Sequence, residues 1–456
     1  MKFSAFLLTF LLAYTVLPAQ EDSVMIRKIA NEILQNGKAY ENLRVLTKQV
    51  GPRLAGSPGM VKAEAWGERT MKASGAEKTW MQECMVPHWV RGGVDEAYAD
   101  YTAAKAIRKK LDIVALGNSV GTGSKGLKAE VIEVVSFDDL EQKKDKVKGK
   151  IVFYNYKFNP TFVNTFEAYS DANKYRGRGP SAASQLGAVG VIVRSMSHST
   201  DNNPHTGGTR YDSAYPKIPA VAIGLRDADE LSVILKTKPA SVFLKTNGHF
   251  LPDTIGHNVI GELIGSKYPD EIITIGGHLD SWDNCEGAHD DGAGCVQTME
   301  VLRSFVAIGY KPQRTIRFVL FANEENGTRG GQKYAAEAKE KNEKHIFALE
   351  SDEGGFTPRG FNMTGTDEQY KKMEAWKTLL APYGTGEIAR GGGGADIGPL
   401  NRTFKTPVAG LFPDSQRYFD IHHSRNDVFE NVNKRELELG AVNMAALIYL
   451  IDKYGL

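Results

Sequence analysis

Residues 276–294 read GGHLDSWDNCEGAHDDGAG, and these nineteen residues hold two histidines and five acids. Ionised carboxylates are almost never buried unless they are paired or bound to a metal. Further along lie Glu324-Glu325, Asp352 in LESDEGG, and His422-His423-Ser with Asp427 beyond. Gathered in one place, so many carboxylates repel strongly at low dielectric. One or two divalent cations would resolve that repulsion. Nitrogen and carboxylate ligands without thiolates suit zinc, with manganese or cobalt as alternatives. A two-metal centre needs about five protein ligands, one of them a bridging carboxylate, with the ions roughly 3.5–4 Å apart. His278, Asp290, Glu325, Asp352 and His423 meet that count. Asp290 is the natural bridge, because it stands where a loop enters a helix. Asp280, two residues after His278, is expected to accept a hydrogen bond from that imidazole's other nitrogen. Glu324 would face a metal-activated water, as general base and then as general acid to a leaving amine.

These residues must be positioned by elements that end near one another. EIITIGG (271–277), TIRFVLFAN (315–323), HIFALESD (345–352) and TPVAGLFPD (406–414) read as buried strands. Helical spacing occupies 291–309, 329–341, 367–381 and 434–455 between and after them. Alternating strand and helix predicts an α/β fold: a mixed, mostly parallel sheet flanked by helices. Ligands of such sheets bind outside the carboxyl ends of the strands, where the acids and histidines fall. Upstream, 24–50 and 60–74 have helical spacing and 77–90 reads as a strand. Residues 105–250 change texture, with short β-rich runs and one helix near 180–187. They read as an inserted, β-rich domain. The expected division is therefore 1–20, 21–104, 105–250 and 251–456, with a propeptide near 21–44 left open.

At 456 residues the chain is too long for one core. A formal net charge of +1 gives no footing for nucleic acid or an anionic membrane surface. Lys2, the apolar run Phe6–Val16 and Ala19 have the pattern of a cleaved secretory leader over residues 1–20. No later stretch is long and apolar enough to span a bilayer, so no membrane anchor is expected. Three cysteines allow one pair, and Cys285 with Cys295 is a candidate; free buried thiols are the equal alternative.

Read together, His278-Leu-Asp280, Asp290-Asp291-Gly-Ala-Gly294, Glu324-Glu325, Asp352 and His423-Ser-Arg-Asn-Asp427 resemble the M28 family of zinc exopeptidases. Nearly the whole chain after the leader resembles one dipeptide-cleaving branch of it, through VGPRLAGS (50–57), PHWVRG (87–92), PHTG (204–207), GSKYP (265–269) and RTIRFVLFANEE (314–325). The insert resembles a protease-associated domain. The resemblance implies the zinc exopeptidase fold, two zinc ions, and hydrolysis of unsubstituted dipeptides or short peptides. It also implies a homodimer in a secreted or periplasmic setting. It would place His278 and Asp352 on one zinc, Glu325 and His423 on the other, Asp290 between them, and Glu324 as base. His422 would stabilise a tetrahedral oxyanion. His289, directly before Asp290, competes as a ligand. The run ARGGGGADIG (389–398) lacks the Lys-Ser/Thr of a phosphate cradle. It reads either as a wall of the substrate pocket, with Asp396 meeting a substrate amine, or as a plain glycine-rich turn. The rival readings are an aminopeptidase acting on longer peptides, a non-catalytic receptor-like protein and a zinc-dependent cyclase.

Overall fold

A computed structural model describes the backbone of residues 4–456 and the side chains of residues 20–456. The leader expected over residues 1–20 thus lies, for all side chains but the last, outside the described residues. Among the described residues no helix is long and apolar enough to cross a membrane.

The residues form two eight-stranded sheets. The first runs Lys78–Val90, His249–Leu263, Arg314–Phe321, Tyr268–His278, Lys344–Ser351, Val408–Pro413, Pro358–Thr364, Glu387–Arg390 from edge to edge. Its four middle strands, from Arg314–Phe321 to Val408–Pro413, are parallel, with antiparallel neighbours on either side. The sheet is therefore mixed, as expected. The middle strands read as continuous apolar runs because both faces are covered. Ile273, Ile275, Phe318, Leu320 and Leu349 pack into a core shared with the helices Ala293–Ala307 and Lys434–Tyr454. Val319, Phe321 and Ala348, which alternate with them along the strands, meet Tyr334 and Ala335 of the helix Arg329–Glu340 on the other face. Register places Gly276 beside both Val319 and Glu350, and Glu350 beside Gly410. The carboxyl ends of all four strands thus reach one rim.

The second sheet runs Ala106–Leu111, Glu96–Thr102, Ala240–Lys245, Leu127–Val134, Ile151–Tyr154, Gly190–Arg194, Ala220–Ile223, Ile113–Ala115. It departs from the sequence reading in two ways. It begins at Glu96 rather than after residue 105, because EAYADYT turns only Ala97 and Ala99 fully inward and leaves almost no apolar signal. It is also α/β rather than β-rich. The four strands from Leu127–Val134 to Ala220–Ile223 are parallel, and the helices Thr165–Ala172, Gly179–Gln185 and Leu225–Thr237 belong to the same segment. The core of this unit takes in Phe356, Tyr418 and Phe419 from the first half of the fold. Tyr169 stacks on Phe419 at 4.7 Å between ring centroids, four residues before His423. The insert is therefore anchored beside the rim.

Candidate metal centre

Most residues of the centre are set by a strand end, while Asp290 stands in a turn and His423 follows the short helix Tyr418–Ile421. His278 is the last residue of its strand, and Asp352 follows Ser351 directly. Glu324 and Glu325 follow the strand ending at Phe321. Asp290 lies between them, in the turn leading to the helix Ala293–Ala307. Its two carboxylate oxygens point in opposite directions. Oδ1 stands 3.2 Å from His278 Nε2, and Oδ2 stands 3.1 Å from His423 Nε2. His278 Nε2 is also 3.1 Å from Asp352 Oδ1, and His423 Nε2 is 3.1 Å from Glu325 Oε2. The result is two triads, His278–Asp290–Asp352 and His423–Asp290–Glu325, sharing one carboxylate. Ligands held about 2.0–2.1 Å from a tetrahedral zinc stand roughly 3.3 Å from one another, which is the spacing seen here. Two carboxylate oxygens of the cluster, Asp290 Oδ2 and Glu325 Oε1, are buried without a hydrogen-bond partner. Such atoms are costly to leave unsatisfied. The donor set and the orphaned oxygens both fit divalent cations.

Electrostatics agree. Burial alone would push the imidazoles of His278 and His423 down. The carboxylates of Asp352 and Asp290 around the first, and of Glu325 and Asp290 around the second, raise both well above the usual range. Burial and the neighbouring Asp290 push Glu325 up to about 7. Burial raises Glu324 well above the usual carboxylate range, with Asp352 and Glu325 adding to the rise. These are groups waiting for positive charge. Glu324 lines a cavity of about 610 Å³ together with Asp290, Glu325, Asp352, His422 and His423.

The residues behind the ligands differ in part from the sequence reading. The acceptor for His278 Nδ1–H is the backbone carbonyl of Asp280, at 2.9 Å. The Asp280 carboxylate is 3.8 Å from that nitrogen and does another job. Its Oδ1 accepts from Glu324 N–H at 2.9 Å and its Oδ2 from Glu325 N–H at 3.3 Å. An HxD spacing cannot distinguish a carbonyl from a carboxylate two atoms away. His289 is not a competing ligand. Its Nδ1 accepts from Gly355 N–H at 3.1 Å, and its Nε2–H donates to the Asn431 carbonyl at 3.2 Å. His422 stacks on His423 at 3.5 Å between ring centroids, and its Nε2 lies 3.5 Å from Asp290 Oδ2. Burial and the charge of His423 hold it well below the usual range, so it is a neutral imidazole at the cavity wall. Asp396 does not meet the substrate space. It is fully buried with both oxygens unpartnered, and burial with the nearby Glu350 raises it far above its usual value. The chain after Gly394 folds inward, its backbone donating from Asp396 N–H and Ile397 N–H to Glu350 Oε2. The three cysteines are buried and unpaired.

Residues that stand in quoted motifs but carried no assigned role complete the centre. Asp427 accepts from His289 N–H at 2.7 Å and Asp290 N–H at 3.1 Å, and Asp291 accepts from His278 N–H at 3.0 Å. Arg53, fully buried, donates Nε–H to Leu279 O at 2.5 Å, Nη1–H to Glu286 O at 2.6 Å and Nη2–H to Gly287 O at 2.8 Å. Thr206, in the insert, accepts from His423 Nδ1–H at 3.3 Å through its carbonyl, and its N–H donates to His423 O at 2.9 Å. The PHTG run that contains Thr206 was a sequence signal for the last of these; nothing marked Arg53 out within its turn.

A model of the family described as Peptidase family M28 matches residues 258–448. Carboxypeptidase Q of Bos taurus is 33% identical over 415 residues, covering 91% of this chain and 85% of the relative. Carboxypeptidase Q of Homo sapiens is 34% identical over the same length and shares. Among solved structures, a peptidase M28 precursor from Shewanella amazonensis SB2B superimposes with a TM-score of 0.89 at 32% identity, over 95% of this chain and 97% of the other. An aminopeptidase from Aneurinibacillus sp. strain AM-1 superimposes with a TM-score of 0.63 at 22% identity, over 93% and 95%, a likeness of fold.

Proposed function

The chain belongs to peptidase family M28, and from that premise we propose that it is an exported dizinc exopeptidase that hydrolyses unsubstituted dipeptides and short peptides. The observation that carries this is the Asp290 carboxylate, shared between two histidine–carboxylate triads at 3.1–3.2 Å. His278 and Asp352 would hold one ion, His423 and Glu325 the other, and Asp290 both. Bound there, zinc supplies Lewis-acid chemistry: it polarises a peptide carbonyl and acidifies a water. The protein's own work is proton transfer and positioning. Glu324, on the cavity wall, takes the proton of the attacking water on its carboxylate and delivers it to the leaving amine. Its raised pKa suits a group that must hold a proton between those two steps. Asp280 keeps the Glu324–Glu325 backbone in place through both amides. His422, neutral, presents an imidazole to a developing oxyanion.

Export is supported by the leader pattern at residues 2–19. The insert stands where a protease-associated domain would, between two parts of the first sheet. A homodimer is supported by an apolar patch on the antiparallel strand pair at the edge of the first sheet, where Met85 and Ile255 pair across strands and are 51% and 52% exposed. The test is metal content alongside hydrolysis of dipeptides and matching tripeptides, for wild type and E324Q. The reading requires about two zincs per chain in both proteins, with dipeptide cleavage lost only in E324Q. A wild type that binds no divalent metal and cleaves nothing would overturn it. Equal cleavage of tripeptides would favour the aminopeptidase alternative.

A further inference from the structure

Among the described residues, the insert sends two cations to the cavity, the exposed Arg210 and the half-buried Arg176, and only the Arg176 side chain is pinned by hydrogen bonds. Arg176, in the short helix Lys174–Gly177, lines the cavity opposite Asp290 and Glu324. Its Nη2–H donates to the Tyr169 hydroxyl and its Nη1–H to the Thr206 carbonyl at 3.3 Å. The guanidinium carbon lies 5.2 Å from the centroid of the Tyr169 ring. Gly207 leaves room for it: a Cβ there would collide with the guanidinium. The Thr206 carbonyl that holds Arg176 is the one that accepts from His423 Nδ1–H, and the Tyr169 ring meets His422 edge-on at 5.1 Å. Arg176 is thus fixed relative to the metal histidines by one shared carbonyl and one ring.

Among the described residues no carboxylate stands within 4.0 Å of this guanidinium, although Arg91, Arg194 and Arg317 each have one; the fully buried Arg53 also lacks one but spends its donors on three carbonyls. Its Nε is buried and has no hydrogen-bond partner. A half-buried, unpaired arginine held this firmly has donors left for a ligand. We propose that Arg176 anchors the α-carboxylate of the substrate's free C-terminus, so that the centre acts on short peptides ending in a carboxylate. This rests on the dizinc peptidase reading. Two divalent ions balance the four carboxylates of Asp290, Glu324, Glu325 and Asp352, which leaves the charge of Arg176 for the substrate. A guanidinium fork binds a carboxylate through two parallel N–H bonds, a geometry that lysine cannot reproduce. A peptide bound this way is oriented as well as retained, since its one fixed end sets which bond reaches Glu324.

The test compares alanyl-alanine with its C-terminal amide, on zinc-loaded wild type, R176A, R176K and R178A, with metal content and thermal melting as folding controls. Arg178 supplies the charge control, because it is exposed, lies over the Phe137 ring at 6.0 Å and does not line the cavity. Wild type should prefer the free acid by about 10- to 100-fold in kcat/KM, the worth of a charge-assisted contact. R176A should lose that preference by falling on the acid while changing less than about threefold on the amide. R176K should fall between, and R178A should match wild type. Equal cleavage of acid and amide by wild type would sink the idea even if no variant folded. So would an R176A enzyme that keeps the preference, or one that loses both substrates equally with metal retained. Those outcomes leave the peptidase reading standing. A zinc-loaded wild type that cleaves neither substrate removes both.

Discussion

The most exacting prediction concerns Arg53, which touches neither ligand nor cavity. Its guanidinium is fully buried and gives three hydrogen bonds to the carbonyls of Leu279, Glu286 and Gly287. Those carbonyls bracket the loop between His278 and Asp290. Hydrogen bonds to a charged group contribute about 1.5–3 kcal/mol each, so three sum to roughly 4.5–9 kcal/mol gross. Burying an unpaired guanidinium costs several kcal/mol in return. The carbonyls left behind in R53A would have no donor, so the net loss should be about 3–5 kcal/mol, confined to this loop. Hydrogen exchange reads that directly: protection across 279–292 should drop by about 100- to 1000-fold, while the strands Ile151–Tyr154 and Gly190–Arg194 of the insert keep theirs. Zinc affinity should fall about 10- to 100-fold, as for other residues that orient ligands from behind. R53K should recover less than half of either loss, since one ammonium cannot span three carbonyls. If R53A exchanges like wild type across 279–292 and binds zinc equally well, the loop is held by something other than this guanidinium.

Four further outcomes follow from the same geometry. D280A should lower kcat by about 10- to 100-fold with little change in KM, because it frees the amides of Glu324 and Glu325 and not a substrate contact; steady-state kinetics on a dipeptide decides it. D396N should leave activity unchanged and shift stability by less than about 1 kcal/mol by denaturant titration, because burial already keeps that carboxyl protonated. His205 is buried with both ring nitrogens unpartnered, and burial lowers it to about 4. A depressed histidine means the folded state resists protonation, so its contribution is complete above about pH 6.5 and lost as pH falls toward 4; H205L should flatten that slope by up to about 1.4 kcal/mol per pH unit. Zinc titration at pH 7 should release at least two protons per chain, one each from His278 and His423 with a further fraction from Glu325, visible as buffer-dependent binding enthalpy in calorimetry.

The rim was legible because a parallel strand covered on both faces has a plain signature. IITIGG, IRFVLFA and HIFALES are mostly apolar runs, and each hands over within two residues to His, Glu or Asp. That handover places three ligands, His278, Glu325 and Asp352, and the base Glu324 without any knowledge of distance. What could not be read were interactions whose partners lie far apart in the chain or on the backbone. Arg53 and Gly287 are separated by 234 residues, and the arginine meets only carbonyls, which carry no sequence identity. Thr206 and His423 are 217 residues apart. Asp280 was found for the right reason, proximity to a ligand, and given the wrong partner, because its side chain and its carbonyl share one residue number. Asp396 was drawn toward the substrate by its glycine neighbours. The same glycines instead let the chain turn inward: a Cβ at Gly394 would strike the Glu350 carboxylate. The strand Glu96–Thr102, second from the edge of its sheet, has almost no apolar signal in the sequence because alanines supply its inward face.

The two sheets divide the work in a way that neither could perform alone. A rim of strand ends can gather carboxylates, but an open rim leaves them in water, where their mutual repulsion and their attraction for a metal are both screened. The insert closes the other side. Tyr169 and Arg176 form part of that wall, and the carbonyl of Thr206 orients His423, a ligand that does not leave a middle strand directly. Closing the cavity is also what raises Glu324 and Glu325, since burial is the largest cause of both shifts. The insert therefore contributes to proton transfer without supplying a proton-transfer group: by excluding water it gives Glu324 a pKa at which holding a proton between two steps is possible. The aromatic contacts that lock it to the rim, Phe166 on Tyr418 at 5.2 Å and Tyr169 on Phe419 at 4.7 Å, lie within five residues of His423. Loosening them should cost activity before it costs fold, because the first thing to open is the wall of the cavity.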